Sequence, residues 1–253
     1  YPPTDKLVVI ESIWSSQFGL LSGNTSLTLV WERPKSNPNA NFSELAFSSL
    51  TFKLYRECKY WVPPIIDEEL EAMDKSKNPV FQNAEAEFYL AYRNGNVVGR
   101  IAAIVNWVEI EEQKKNKLRF GWYDTIDDKE VSKKLIEKVI EFGKKRNLDF
   151  IDGPVGFSNM DKAGLLIEGY EELNTMITWY HFPYQKNHLL ELGFKKLAEW
   201  VEYKIQIFSE KDAPEKVKKF AKIIQKRYDL KVINFKSKKE IIPYIDKMFE
   251  LLN

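Results

Sequence analysis

The sequence has little of the residue types on which many functional sites depend. Its 253 residues include one cysteine, Cys58, and 2 histidines. One cysteine can form neither a disulfide within the chain nor a cysteine-based zinc site. His181 and His188 have no evident third ligand, so we predict no metal site. The low cysteine content favours the cytoplasm as the compartment.

The chain also has almost no net charge, because 38 Lys and Arg face 37 Asp and Glu. Near-neutrality gives no broad electrostatic reason to bind nucleic acid or an anionic membrane surface. The basic stretches at 114–119, 144–146 and 216–227 are balanced by acids elsewhere and are typical of solvated faces. We therefore expect neither nucleic acid nor a membrane as a partner.

No long apolar run is present either. Residues 12–31 are uncharged, but about half of them are Ser, Thr, Asn, Gln or Gly, which are costly to place in hydrocarbon. We expect no transmembrane helix there, and no pattern typical of a signal peptide is found. Seven of residues 1–50 are charged, against 68 of the other 203. We interpret residues 1–50 as an atypical segment, with short strands at 7–10 and 27–31.

The middle of the chain shows alternating strand and helix patterns. Residues 87–93 and 97–108 favour β-structure and flank an Asn-Gly pair, the strongest short-range signal for a hairpin. Residues 117–124 predict a third strand. Over 131–140 apolar residues recur at helical spacing, which predicts an amphipathic helix.

Shorter elements follow this helix. We predict strands at 149–152 and 175–181, a helix at 185–192 that ends before Gly193, and an alternating strand at 201–207. Together these patterns predict an α/β (α+β) fold in which a mixed sheet is interleaved with helices.

The end of the chain predicts a separate unit. Pro214 begins a basic amphipathic helix, 231–235 predicts a strand, and Ser237 with Glu240 has capping-box spacing for a last helix that contains Pro243. One strand and one helix cannot bury their own apolar faces. This unit must therefore dock elsewhere or belong to a further domain.

Several strings, taken together, carry a resemblance to a known family. They are FKLY at 52–55, YWVPP at 60–64, GRIAAI at 99–104, FGWYD at 120–124, GPVGF at 153–157, LGF at 192–194 and EWVEY at 199–203. With the element order, they resemble an uncharacterised bacterial branch of the GNAT (N-acetyltransferase) superfamily, over about residues 50–253. The resemblance implies a GNAT-like, mostly antiparallel sheet flanked by helices.

The same resemblance implies a domain division. Members of this branch contain two GNAT-like halves. The chain would then hold the first half at 51–209. Residues 210–253 would be a linker helix followed by the first strand and helix of a truncated second half.

GNAT enzymes bind the pyrophosphate of an acyl coenzyme A on backbone N–H groups where the long helix begins, in a glycine-containing loop. The resemblance places five residues at this cofactor position: Thr125, Ile126, Asp127, Asp128 and Lys129. The segment has no glycine, and at about 4 Å each carboxylate would repel a phosphate by roughly 1–4 kcal/mol. The alternative is that Asp127 and Glu130 form an N-cap and capping box.

Three residues are candidates for acid–base chemistry. Asp124 ends the third strand, near the place where GNAT substrates meet the thioester, and could act as a base directly or through water. The family's usual acid position is Leu189 here, but Tyr184 and His188 lie one helical turn apart and could present a phenol and an imidazole. The alternatives are a turn aspartate, a packed Tyr184 and a surface His188.

The polar loop at 153–170 is the best candidate for a substrate pocket, since such loops often bind ligands. Aromatic residues at 179–184 could line an apolar cleft beside this loop. The alternatives are that the glycines of the loop only form tight turns and that the aromatic residues belong to the core. The candidate substrate-binding residues are Tyr123, Phe157, Asn159, Asp161, Glu168 and Tyr180.

Two functions follow from the resemblance. The first is an N-acyltransferase that transfers an acyl group from acetyl-CoA or another acyl-CoA to a small-molecule amine. In this hypothesis the chain contributes mainly substrate recognition, with a degenerate coenzyme A loop and a second GNAT-like half as its partner. The second is a non-catalytic GNAT-like module that binds a ligand or a partner domain.

Overall fold

The computed structural model describes residues 6–15, 28–31, 42–158, 160–204, 211 and 213–252. The chain divides into two compact units, Tyr1–Lys204 and Ile205–Asn253. Within the described ranges, no helix combines the length and the apolar character needed to cross a bilayer. The domain boundaries placed after residues 50 and 209 stay predictions.

The first unit is built on a mixed sheet. Its strands are β1 (Lys6–Ser15), β2 (Thr28–Trp31), β3 (Ala84–Arg93), β4 (Asn96–Asn106), β5 (Lys117–Thr125), β6 (Phe150–Gly153), β7 (Leu165–Glu168) and β8 (Lys195–Tyr203). The order is β2-β3-β4-β5-β6-β1-β7, and β8 also pairs with β1. Among the described strands only β5 and β6 pair in parallel. The predicted mixed, mostly antiparallel sheet is confirmed.

Helices flank this sheet, as predicted. They are α1 (Phe42–Leu54), α2 (Ile66–Met73), α3 (Trp107–Glu111), α4 (Lys129–Lys144) and α5 (Pro183–Glu191), with a 3₁₀ turn at Pro79–Gln82. α4 and α5 correspond to the helices predicted at 131–140 and 185–192. The strands expected at 7–10 and 27–31 are parts of β1 and β2.

The predicted hairpin is formed by β3 and β4. Asn94 and Gly95 have φ values of 51° and 78°, and a two-residue type I′ turn requires positive φ at both positions. The strands pair from Arg93 with Asn96 at the turn to the far ends of both strands. The Asn-Gly signal therefore identified the hairpin correctly.

Alternation along β3 and β4 separates two hydrophobic clusters. Tyr89 and Ile101 belong to the cluster that includes the buried face of α4. Phe88 and Ile104 belong to the cluster that includes residues of α1 and α2. The sheet thus has an α4 face and an opposite face covered by α1 and α2.

Two predicted strands are wrong. Residues 175–181 form turns and irregular backbone, and several of their side chains line a cavity. Residues 231–235 are irregular too, and Val232 is 84% exposed, since a strand without a neighbour gains no ladder hydrogen bonds. The strand predicted at 201–207 is β8, which begins earlier, while 205–207 lie outside the described residues.

The second unit contains α6 (Glu215–Arg227), α7 (Lys238–Ile241) and α8 (Ile245–Leu252). A 3₁₀ turn at Ile242–Tyr244 separates α7 from α8. Pro243 lies in this turn, where its missing N–H is tolerated. The helix predicted from Pro214 is confirmed as α6, whereas the single last helix predicted after Ser237 is divided by this turn into α7 and α8.

Candidate functional site

A cavity of about 780 Å³ lies in the first unit, within the usual range of about 300–1,000 Å³ for small-molecule sites. Its lining comes from α1, α2, the chain between them, β4, β5 and residues 78–80, 156–158, 161–162, 174–176 and 178–180. Apolar side chains form most of the wall, among them Trp61, Val62, Pro63, Ile65, Trp122, Phe157, Met176 and Trp179. Such a wall suits the apolar part of a ligand.

Buried polar groups form the floor of this cavity. Arg100 is 2% exposed, and its Nε donates a hydrogen bond of 2.7 Å to Oδ2 of Asp124. The hydroxyl of Tyr55 donates a hydrogen bond of 2.6 Å to Oδ1 of the same carboxylate. Both oxygens of Asp124 are therefore engaged, which fixes the carboxylate in one orientation.

Glu69 lines the same cavity and differs from Asp124 in one respect. Its Oε1 accepts a hydrogen bond of 3.2 Å from Nη1 of Arg100, but its buried Oε2 has no partner among the described residues. Lys162 also lines the cavity. Within the described part of the chain its ammonium group forms no hydrogen bond or salt bridge, although Glu69 and Asp124 lie within electrostatic reach.

Burial controls the protonation of three groups around this floor. Burial, reinforced by the Asp124 carboxylate, raises the pKa of Tyr55 well above its usual value, so the phenol keeps the proton that it donates. Burial lowers the pKa of Lys162, and the nearby Glu69 opposes this shift. Burial lowers the pKa of His181 to about 4, so its imidazole is neutral at neutral pH.

A β-bulge in β5 brings these groups to the cavity. Ala102 pairs with Gly121 but Arg100 pairs with Asp124, so β5 contains one more residue than β4 over this stretch. Trp122 in the bulge has a φ of 48°, which is rare for a bulky residue and often marks a functional site. Because side chains alternate along a strand, the extra residue moves Trp122 and Asp124 from the α4 face to the cavity face.

Some of the residues predicted to form a site lie around this cavity. Those in its lining are Asp124, Phe157, Asp161 and Tyr180. Glu168 on β7 is exposed and does not line the cavity, and Asn159 lies outside the described residues. The structure thus brings the predicted base and part of the predicted loop together, while their roles stay predictions.

Tyr123, Tyr184 and His188 lie instead on the α4 side of β5. The hydroxyl of Tyr123 donates to Oγ of Ser132 over 2.8 Å, and this Oγ lies 2.9 Å from Nδ1 of His188. Tyr184 lies beside His188, with ring centroids 5.5 Å apart. Ser132 has no exposed surface and His188 is 7% exposed, so the surface position considered for His188 is wrong.

The backbone N–H groups of Glu130, Val131 and Ser132, at the start of α4, are bonded within the chain. Asp128 is the N-cap, and its Oδ1 accepts a hydrogen bond of 2.9 Å from the backbone N of Glu130. The carbonyl of Asp128 accepts from the next two N–H groups, those of Val131 and Ser132. Arg93 forms salt bridges with Asp128 and Glu130. These residues do not fit a coenzyme A pyrophosphate, because three N–H groups of the first turn already have acceptors and the carboxylates of Asp128 and Glu130 lie at this helix end.

The other residues predicted at the coenzyme A position have structural partners as well. Lys129 forms a salt bridge with Glu191, and Ile126 packs against the α4 cluster. The cap predicted at Asp127 is wrong by one residue, since the Asp127 side chain is 71% exposed and its Oδ1 lies 3.2 Å from Nε2 of His188.

Side chains of α5 also bond to the open edge of β5. β6 pairs only with the beginning of β5, from Lys117 to Arg119. Further along, the carbonyl of Thr125 accepts a hydrogen bond of 2.7 Å from the hydroxyl of Tyr184. The carbonyl of Tyr123 accepts one of 3.3 Å from Nε2 of Gln185. An extended ligand arm at this edge would have to displace these bonds.

Sequence reasoning did not assign roles to Tyr55, Glu69, Arg100 and Lys162. Arg100 had a usable signal, because it is the single charged residue in the apolar stretch at 97–105, and a charge in a buried strand needs a partner. Glu69 had no such sequence signal, since it lies among other acids in a helix whose composition is typical of a solvated face. Its burial follows from the packing of α2 against the sheet.

No family model matches this chain. It is 28% identical over 193 residues to Protein YghO of Escherichia coli (strain K12), covering 75% of this chain and 48% of that protein. It is 26% identical over 160 residues to a protein named bacterial ceramide synthase, from Caulobacter vibrioides (strain NA1000 / CB15N), covering 62% of this chain and 41% of that protein. The chain spans about half the length, or less, of these curated relatives.

Among solved structures, a functionally unknown conserved protein from Staphylococcus epidermidis ATCC 12228 aligns with a TM-score of 0.38 and 13% identity. The alignment covers 76% of this chain and 59% of that chain. A likeness of this degree supports no conclusion about function.

Proposed function

We propose that this chain is the acceptor-binding part of an N-acyltransferase and that its cavity holds a small amphiphilic amine. The observation that carries the proposal is the apolar cavity with Glu69 and Asp124 at its floor. The name bacterial ceramide synthase on one relative supports it, because a ceramide is an amide of a long-chain amine. Buried carboxylates suit an amine because they can bind it and accept its proton.

The proposed step forms one bond and breaks another. The nitrogen of the neutral amine attacks the carbonyl carbon of an activated acyl group, the new C–N bond forms, and the bond from that carbon to its leaving group breaks. Asp124 accepts the proton that the nitrogen loses and passes it to the departing group, so the carboxylate returns to its starting form. Arg100 and Tyr55, which hold Asp124, would position it for this transfer.

The acyl donor belongs elsewhere in this proposal. The first turn of α4 does not fit a pyrophosphate, and side chains of α5 bond to the edge of β5. We therefore assign acyl-CoA binding to a second GNAT-like half of a longer protein. The same two observations favour the second candidate function, a ligand-binding module without catalysis.

Titration separates these proposals. We expect octylamine to quench or shift the fluorescence of the cavity tryptophans with micromolar affinity, and acetyl-CoA to give no heat of binding to this chain. A protein extended beyond residue 253 should convert octylamine and acetyl-CoA into N-octylacetamide, detected by mass spectrometry, and Asp124→Asn should slow this conversion. Amine binding without conversion would support the binding module, while no amine binding would contradict both.

A further inference from the structure

We propose that Glu69 and Lys162 form a head-group subsite that binds an ammonium group and an adjacent anionic oxygen of one amphiphilic ligand, as in an α-amino carboxylate. The inference deepens the proposed function and rests on it. The bound ammonium would first transfer one proton to the Glu69 carboxylate, and the neutral nitrogen would then be the one that is acylated. It concerns which amine the cavity selects. Both residues line the cavity.

The unpartnered oxygen of Glu69 supplies the site for the ammonium. Oε2 is buried and has no hydrogen-bond partner among the described residues, while Oε1 accepts from Arg100. A buried carboxylate oxygen is stabilised when a donor reaches it, and a cationic donor gives the stronger bond. A ligand ammonium entering from the cavity would supply the hydrogen-bond donor that Oε2 lacks.

The charge balance of the floor favours a ligand that also carries an anion. Glu69 and Asp124 face Arg100 and Lys162, so the floor as a whole is neutral. An ammonium alone would leave one uncompensated positive charge beside Arg100 and Lys162. A neighbouring carboxylate on the ligand removes this excess and gives the Lys162 ammonium a partner.

The exposed carboxylates of the lining do not change this balance much. Glu68 and Asp161 are exposed, so water and salt screen them. Asp161 also accepts a hydrogen bond of 2.7 Å from the backbone N of Ser158. The head group is therefore selected by the charged residues of the floor, and the apolar chain by the aromatic wall.

Matched ligands test the subsite on the full chain. The probes are 2-aminooctanoate, octylamine and octanoate, titrated at neutral pH and followed by tryptophan fluorescence. We expect 2-aminooctanoate to bind at least tenfold more tightly than either single-charge probe. Equal binding of octylamine and 2-aminooctanoate would overturn the proposal.

Variants test whether Glu69 binds the ligand ammonium and Lys162 the ligand carboxylate. Glu69→Gln should remove the preference of 2-aminooctanoate over octanoate, and Lys162→Met should remove its preference over octylamine. Glu71→Gln, on the outer side of α2, and the exposed Lys53→Met are the matched controls, and both should retain the tenfold preference. Circular dichroism checks that each variant is folded. Unchanged preferences in both cavity variants would contradict the proposal.

The two proposals fail in different ways. If 2-aminooctanoate binds with the expected preference but the extended protein acylates no amine, the subsite stands and the acyltransferase proposal fails. If the extended protein acylates octylamine as well as 2-aminooctanoate and binds both equally, the acyltransferase proposal stands and the subsite fails.

Discussion

Polar groups lie on both sides of strand β5, and the two sets differ in how fully they are paired. On the α4 face, the hydroxyl of Ser132 joins Tyr123 to His188, and the other ring nitrogen of His188 lies near Asp127. On the cavity face, Asp124 is fully paired, but Glu69 keeps one oxygen without a partner beside an open volume. A set of polar groups that are all paired is typical of structural support, whereas a set with an unpaired buried oxygen is typical of a binding site.

The sharpest test of this difference is the removal of Arg100. Arg100→Met should lower the free energy of unfolding by about 3–5 kcal/mol, because it leaves two buried carboxylates without their common cation. Urea unfolding measures the loss. The control Arg93→Met, which removes the partly exposed salt bridges at α4, should cost about 1 kcal/mol. Equal losses would show that the cavity floor is not the more strongly coupled site.

The neutral His181 beside the floor predicts a pH dependence. Its pKa is lowered from 6.5 to about 4 in the folded chain, so the unfolded chain binds the proton first and stability falls as the pH drops through this range. The full effect is about 3 kcal/mol at about 1.4 kcal/mol per pKa unit. His181→Asn should lose less stability between pH 7 and pH 4 in urea unfolding.

Subtracting the two pH profiles isolates the contribution of the imidazole, since all other groups near His181, including Asp124, are present in both proteins. The Arg100 cation, which also lies near His181, contributes to both profiles equally. Parallel profiles of the wild type and His181→Asn would contradict the prediction.

A pair of tyrosines compares the faces directly. Tyr55→Phe removes a hydrogen bond to a charged group and should cost about 1.5–3 kcal/mol, while Tyr123→Phe removes a neutral one and should cost about 0.5–1.5 kcal/mol. Thermal or urea unfolding measures both. The reverse order would mean that the α4 network, and not the cavity floor, contributes more to stability.

The smallest expected effect lies at the start of α4. Asp128→Ala removes the N-cap and should lower the unfolding free energy by about 0.5–2 kcal/mol. Asp127→Ala, one residue earlier, should change it by less than about 0.5 kcal/mol because that side chain is largely exposed. If Asp127→Ala lowered the unfolding free energy more than Asp128→Ala does, Asp127 would be the N-cap, as expected from the sequence.

Local patterns predicted much of the fold. The Asn-Gly turn and the apolar spacing of α4 are interactions between near neighbours, so the hairpin and the helix follow from a few residues each. The strand expected at 175–181 was wrong because aromatic residues favour both strands and cavity walls. Composition alone does not distinguish these two environments.

The candidate site was only partly predictable. Asp124 could be named from the sequence because it ends a strand in a family-like string, and the structure places it in the cavity lining. Tyr184 and His188 were correctly expected to be neighbours from their helical spacing. Which side of β5 they occupy depends on packing that no local pattern records.

The sequence by itself determined the class of fold, the single cysteine, the near-zero net charge and the main amphipathic helix, because each depends on composition or short-range periodicity. Only the tertiary structure decided the site. One extra residue in β5 turns Asp124 towards the cavity, and the packing of α2 buries Glu69 beside Arg100. Both effects arise from contacts between residues far apart in the chain, which sequence periodicity does not record.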